Sequence, residues 1–149
     1  MPLNTTPTTP DTCIFCKLAA KAIPSSIVFE DPQTLAFMDL GQVNPGHVLV
    51  ALKRHAATLL DLSADEAAAV MRTAHRLAHA VASTFDPPGI TLLQANGLEG
   101  EQTVFHFHMH VVPRHAQDGI GLSWPRKDPA RELLESYAQQ LRQALATSA

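Results

Sequence analysis

Hydrophobic positions recur at strand-like spacing early in the chain and at helical spacing through its middle. Residues 27–30 and 35–39 are short apolar runs separated by Asp31-Pro32-Gln33, a turn signal, so they predict a hairpin. A second turn, Asn44-Pro45-Gly46, precedes a third strand over 47–52. Ser63 followed by Glu66 has the form of a capping box and opens a long helix that ends before Pro87. Val70, Met71, Ala74, Leu77, Ala78, Val81 and Phe85 define its buried face, with His75 and His79 at the border in a structural role. Residues 90–95 predict a strand, Asn96-Gly97 a turn, and 104–112 a further strand stopped by Pro113. A short helix over 17–22, ended by Pro24, precedes the hairpin. Asp128-Pro129 opens a last helix, residues 128–146, with Leu133, Leu134, Tyr137, Leu141 and Leu145 as its apolar stripe. Residues 1–11, rich in Thr and Pro, read as a flexible tail, and 12–149 as a single domain. Neighbouring strands with helices set apart predict an α+β fold: an antiparallel sheet of about five strands, one long central helix, and short N-terminal and C-terminal helices.

The chemistry concentrates in the strand over 104–112. His106, His108 and His110 alternate with Phe107, Met109 and Val111, so the imidazoles share one face and the apolar side chains the other. Neighbouring histidines then stand roughly 6.5–7 Å apart and the outer pair roughly 13 Å apart, too far for one ion to take all three at about 2.0–2.1 Å. Near neutral pH an imidazole serves as nucleophile, general acid or anion contact, and a row of them suits phosphoryl chemistry.

The 149 residues suit one domain. A net charge of -3 without any run of Lys or Arg gives no footprint for nucleic acid. No apolar stretch approaches the roughly 18 residues needed to span a bilayer, and the N-terminal residues lack signal-peptide character, so a cytoplasmic protein without a membrane partner is expected. No GxGxxG or Walker loop is present, which leaves phosphate to turn amides, side chains and imidazoles. The two cysteines, Cys13 and Cys16, form a CxxC that reads as a metal half-site in preference to a redox pair or two unliganded thiols.

The histidine strand, together with Cys13-Ile14-Phe15-Cys16-Lys17, residues 35–39, Pro45-Gly46-His47, Lys53-Arg54-His55, Asn96-Gly97 and Gln102-Thr103-Val104, resembles the histidine triad (HIT) family in its Hint-like bacterial branch. The resemblance covers nearly the whole domain. It implies a homodimeric nucleotide hydrolase or nucleotidyl transferase acting at the α-phosphate of purine nucleoside phosphoramidates or related nucleotides. His108 would be the nucleophile, forming a nucleotidyl-histidine, and His110 would contact phosphate and protonate the leaving group. Asn96, Gln102 and Thr103 would hold phosphate and leaving group, Asp39 the ribose hydroxyls, and Ile14, Phe15, Leu18, Phe37 and Leu40 the base. Cys13, Cys16, His55 and His106 would bind one structural zinc, with no redox or organic cofactor. Alternatively, His106 is metal-free, held by a backbone carbonyl and orienting the next histidine.

Two positions depart from the family pattern. Glu101 stands where glycine usually precedes the Gln-Ser/Thr pair, and Leu52 where proline commonly precedes the Lys-Arg-His segment. Competing readings are a dinucleoside polyphosphate hydrolase, a metal-dependent hydrolase using two triad histidines, and a nucleotide-binding or partner-binding protein with weak turnover.

Overall fold

The computed structural model describes residues 3, 6 and 8–147, so part of the expected N-terminal tail lies outside the described residues. Its described portion is hydrogen bonded near the domain: Thr8 Oγ1 donates to the Phe105 carbonyl, and the Cys13 amide donates to the Thr9 carbonyl. The elements in chain order are α1 (Ile14–Ala19), β1 (Ile27–Glu30), β2 (Thr34–Met38), β3 (Val48–Leu52), α2 (Ala64–Phe85), β4 (Gly89–Leu93), β5 (His108–Arg114) and α3 (Arg131–Thr147). The five strands make one antiparallel sheet in the order β1-β2-β3-β5-β4. The chain divides into two compact units, one through Asp118 and one from Gly119. The second contains α3, whose Leu133, Leu134, Tyr137, Leu141 and Leu145 are all exposed.

Alternation along the strands gives the sheet two apolar faces. Ala36, Val48, Val50, Leu52, Phe107 and Val111 cluster with Val70, Ala74, Leu77 and Val81 of α2. On the other face Leu35, Phe37, Leu49 and Ala51 pack with Phe15 and Leu18 of α1. The α2 helix begins as its sequence predicts, with the Ser63 hydroxyl accepting from the Glu66 amide and the Glu66 carboxylate accepting from the Ser63 amide.

Four expectations are corrected. Within the predicted buried face of α2, Met71 and Phe85 are 48% and 43% exposed, and Thr73 is buried instead because its hydroxyl pairs with Thr34 Oγ1 at 2.9 Å. His75 and His79 are fully on the exposed side rather than at the border. The α1 helix starts earlier than predicted, which buries Phe15 and Leu18, and it ends before Lys21, whose φ of 58° is left-handed. The histidine strand starts later and ends later than predicted. The Phe107 amide donates to the Ala56 carbonyl, so ladder pairing with β3 begins only at His108. Pro113 does not stop the strand: pairing with β3 ends at Val111, and beyond it β5 has a free edge on that side, where a missing N–H is tolerated. The Pro113 carbonyl on that edge accepts from Asn44 Nδ2 at 2.7 Å.

Candidate functional site

The register of β5 sets the site. Phe107 and Val111 point into the α2 core, while His108 faces α1, its ring 5.0 Å from the Phe15 ring in edge contact. On that face a cavity of about 280 Å³ is lined by Ile14, Phe15, Leu18, Phe37, Leu40, Asp39, Thr103, His108 and His110, together with Ile23, Pro24, Ser25, Ser26, Met38, Leu49 and Val104. All five residues expected to wall the base line it, Leu40 as a fully exposed side chain at the mouth. The volume lies at the lower end of the range for small-molecule pockets, about 300–1,000 Å³.

Asn96 and Gln102 are engaged elsewhere. Asn96 Oδ1 accepts from the Leu59 amide, and its Nδ2 donates to Gln94 Oε1. The Gln102 side chain is buried and ties the loop together, accepting from the Gly97 amide and donating to the carbonyls of Ala57 and Val104. Glu101 is exposed, left-handed at φ 65°, and follows the 3-10 turn Leu98–Gly100. Leu52, the other departure, uses the N–H that a proline would lack to donate to the Phe107 carbonyl.

Hydrogen bonds assign opposite tautomers to the two cavity histidines. His108 Nδ1 lies 2.6 Å from the His106 carbonyl and must donate to it, which leaves Nε2 with a free lone pair. His47 Nδ1 accepts from the Val43 amide at 3.5 Å, so His47 carries its proton on Nε2 and donates to His110 Nδ1 at 2.9 Å. His110 then carries its own proton on Nε2. Burial holds both rings mainly neutral, with His108 below its ordinary value and His110 down to about 4, where the neighbouring His108 and His47 add to the effect. A neutral ring with a bare nitrogen and a neighbour presenting N–H together supply a nucleophile and a proton donor.

His47 has a role here that the sequence alone does not assign. It is 4% exposed, it reaches Asp39 Oδ2 at 3.4 Å as well as His110, and burial lowers its pKa. The Pro45-Gly46 turn ahead of it was the available signal: the His47 amide closes that turn on the Asn44 carbonyl, and Gly46 has φ 97°.

Behind the cavity, Cys13, Cys16, His55 and His106 converge, their ligand atoms all within 4.8 Å of one another. His106 Nε2 donates to the Leu52 carbonyl at 2.6 Å, which directs the bare Nδ1 at Cys13 Sγ (3.3 Å) and Cys16 Sγ (3.5 Å). His55 does the same, with Nε2 donating to the Thr8 carbonyl and Nδ1 3.3 Å from Cys16 Sγ. A tetrahedral ion about 2.3 Å from sulfur and about 2.0–2.1 Å from nitrogen would set sulfur–nitrogen contacts of roughly 3.5 Å, so the donor set fits such an ion. Backbone carbonyls holding the far nitrogens are the usual support for ligating histidines. Burial and the adjacent Cys13 push the Cys16 thiol up to about 12, so thiolate formation here calls for a cation.

Comparison with known proteins identifies the family and the fold. Residues 20–117 match the model of the HIT domain. A HIT family protein from Bacillus anthracis superimposes with a TM-score of 0.87 at 37% identity, over 91% of this chain and 99% of that one. The adenosine 5'-monophosphoramidase hnt1 of Schizosaccharomyces pombe is 31% identical over 87% of this chain and 95% of its own length. A Zn-bound histidine triad family protein from Mycobacterium smegmatis has a TM-score of 0.71 at 30% identity, over 91% and 99% of the two chains. The three alternating histidines, the five-stranded antiparallel sheet that carries them and these matches make this chain a member of the HIT family.

Proposed function

We propose that the protein is a nucleotide hydrolase that cleaves at the α-phosphate of purine nucleoside phosphoramidates through a covalent nucleotidyl-histidine. The observation that carries this reading is the pair of opposite tautomers on one cavity wall. His108 Nε2 attacks phosphorus and expels the amine, which takes a proton from Nε2 of His110 in the imidazolium form that the anionic substrate favours. His110, left neutral with its proton on Nδ1, then accepts a proton at Nε2 from the water that displaces His108 and releases the nucleoside monophosphate. Asp39 holds the ribose hydroxyls, Thr103 contacts the phosphate, and the apolar residues from Ile14 to Leu40 enclose the base. Asn96 and Gln102 act by shaping the loop that presents Thr103. The monophosphoramidase named among the relatives supports the substrate class.

Zinc at Cys13, Cys16, His55 and His106 fills four ligand positions and is structural; it ties the N-terminal segment to the start of β5. The Zn-bound relative supports this assignment. We also propose a cytoplasmic homodimer formed through β4, an edge strand whose Leu92 and Leu93 are 41% and 46% exposed. No helix among the described residues is long and apolar enough to cross a membrane.

The test is turnover of adenylated and guanylated amines by wild type and His108→Ala, with trapping of labelled nucleotide on the protein. The variant should stay folded and lose turnover by several orders of magnitude. Near-native turnover in that variant would remove His108 as nucleophile. Binding without turnover in wild type would favour a nucleotide-binding protein, and preference for dinucleoside polyphosphates would change the leaving group.

A further inference from the structure

Asp39, His47 and His110 form a second convergent donor set, separate from the cysteines, of which Asp39 and His110 line the cavity and His47 lies buried behind them. Three atoms able to ligate a metal face one another: His47 Nε2 and His110 Nδ1 at 2.9 Å, His47 Nε2 and Asp39 Oδ2 at 3.4 Å, and His110 Nδ1 and Asp39 Oδ2 at 3.8 Å. A single proton, on His47 Nε2, is shared among them. Three ligands about 2.0–2.2 Å from a tetrahedral ion stand roughly 3.3–3.6 Å from each other, and the three observed separations bracket that range.

We propose that this cluster is an inhibitory site for a late first-row divalent cation of the Zn²⁺ type, bound by Asp39, His47 and His110 with its remaining position open to the cavity. Two imidazoles and a carboxylate with an open position are the ligand set of a zinc site that exchanges its fourth ligand. Binding requires His47 to move its ring proton from Nε2 to Nδ1, giving up the long 3.5 Å bond from the Val43 amide, while coordination replaces the Nε2–H contacts with His110 and Asp39. His110 keeps its proton on Nε2 and coordinates through Nδ1, so no net proton is released. The inhibitory effect rests on the function proposed above: the ion occupies the Asp39 carboxylate that would hold ribose and pins the His110 ring.

One other pair could take up metal and must be separated from this site. His75 and His79, one turn apart on the exposed side of α2, bring their Nε2 atoms to 3.2 Å. The experiment is equilibrium dialysis of the zinc-loaded protein against added Zn²⁺, with metal counted per chain, in wild type, Asp39→Asn, His47→Gln and a His75→Ala/His79→Ala double variant. Wild type and the α2 double variant should take up one equivalent beyond the cysteine site, and Asp39→Asn and His47→Gln should not. Two cavity variants guard against a folding defect in either one, read by their thermal unfolding. Loss of the extra equivalent in the α2 double variant, its retention in both cavity variants, or its absence from wild type would each overturn the proposal. Turnover measured in the same titration should fall at least tenfold as the equivalent binds. Uptake without that fall would overturn the inhibitory role. Absence of turnover before any zinc is added would instead count against the hydrolase reading, while leaving the binding result intact.

Discussion

Gly46 links the packing of α2 to the chemistry of the cavity, and Gly46→Ala makes that link measurable. Its φ of 97° lies where a Cβ is strained, and a Cβ built there would meet Phe85 Cδ2 at 2.6 Å and Cε2 at 2.7 Å. The backbone term is about 1–2 kcal/mol. Forcing the ring aside adds about 1–3 kcal/mol of overpacking, so the substitution should destabilise by about 2–5 kcal/mol in all. Phe85 is 43% exposed and has room to turn outward, which favours the lower part of that range. Urea unfolding of wild type, Gly46→Ala, Phe85→Ala and the double variant separates the two terms. In the Phe85→Ala background only the backbone term remains, so the cycle should give a coupling of about 1–3 kcal/mol. A coupling below about 0.5 kcal/mol would show that the ring contact is not what excludes a side chain. A total cost below about 1 kcal/mol would refute the strain argument as well. Because the next residue is His47, Gly46→Ala should also lower turnover, and Phe85→Ala should restore part of it.

Four further outcomes follow from the geometry. Cys13→Ser should lose stoichiometric zinc and lower the melting temperature by roughly 5–10 °C, with catalysis reduced only indirectly; full metal retained in that variant would defeat the site. Chelators that leave the cysteine-site zinc in place should leave turnover intact, because no step of the proposed chemistry uses a metal. Burial, then His108 and His47, hold His110 near 4 in the folded state, whereas the unfolded chain protonates it near 6.5. Its contribution to stability is therefore complete above about pH 6.5 and lost as pH falls towards 4, by up to about 3 kcal/mol; His110→Asn should flatten the pH dependence of urea midpoints across that window. Glu101→Gly should stabilise by about 0.5–1 kcal/mol by relieving the left-handed backbone at φ 65°, read as a higher urea midpoint at unchanged slope.

What was legible in the sequence is what local periodicity controls. A two-residue repeat placed His106, His108 and His110 opposite Phe107 and Val111, and the Ser63–Glu66 spacing located the start of α2. The apolar residues around the cavity were legible only through the family resemblance, since each one singly reads as core. Tertiary pairing decided the rest. Thr73 displaced Met71 from the buried face because a hydroxyl on β2 was waiting for it, and nothing within α2 signals that partner. Gln102 reads as a ligand for phosphate until its two carbonyl acceptors, one 45 residues away, are known. His47 lies on the far side of a turn, and its contact with His110 depends on the β3–β5 register that sets Leu49 opposite His110.

The fold makes the two arrangements that the sequence offered for His106 geometrically compatible. Support from a backbone carbonyl does not compete with metal ligation for one imidazole, because the ring has two nitrogens: one meets the carbonyl and the other faces the sulfurs. Nε2–H is fixed by the Leu52 carbonyl, and this bond is what turns Nδ1 towards the sulfurs. The main chain of the same residue performs a third task, because the His106 carbonyl accepts from His108 Nδ1 and so leaves His108 Nε2 bare. The two-residue spacing makes this possible: a side chain at i+2 returns to the same face and can bend back to the carbonyl of residue i. The cysteine cluster therefore lies one residue and one hydrogen bond from the nitrogen that attacks phosphorus in the proposed reaction. Its effect on catalysis runs through the position of the His106 backbone. On this account His106→Ala, which keeps that carbonyl but removes its anchor, should impair turnover less than His108→Ala and more than a substitution on the exposed side of α2.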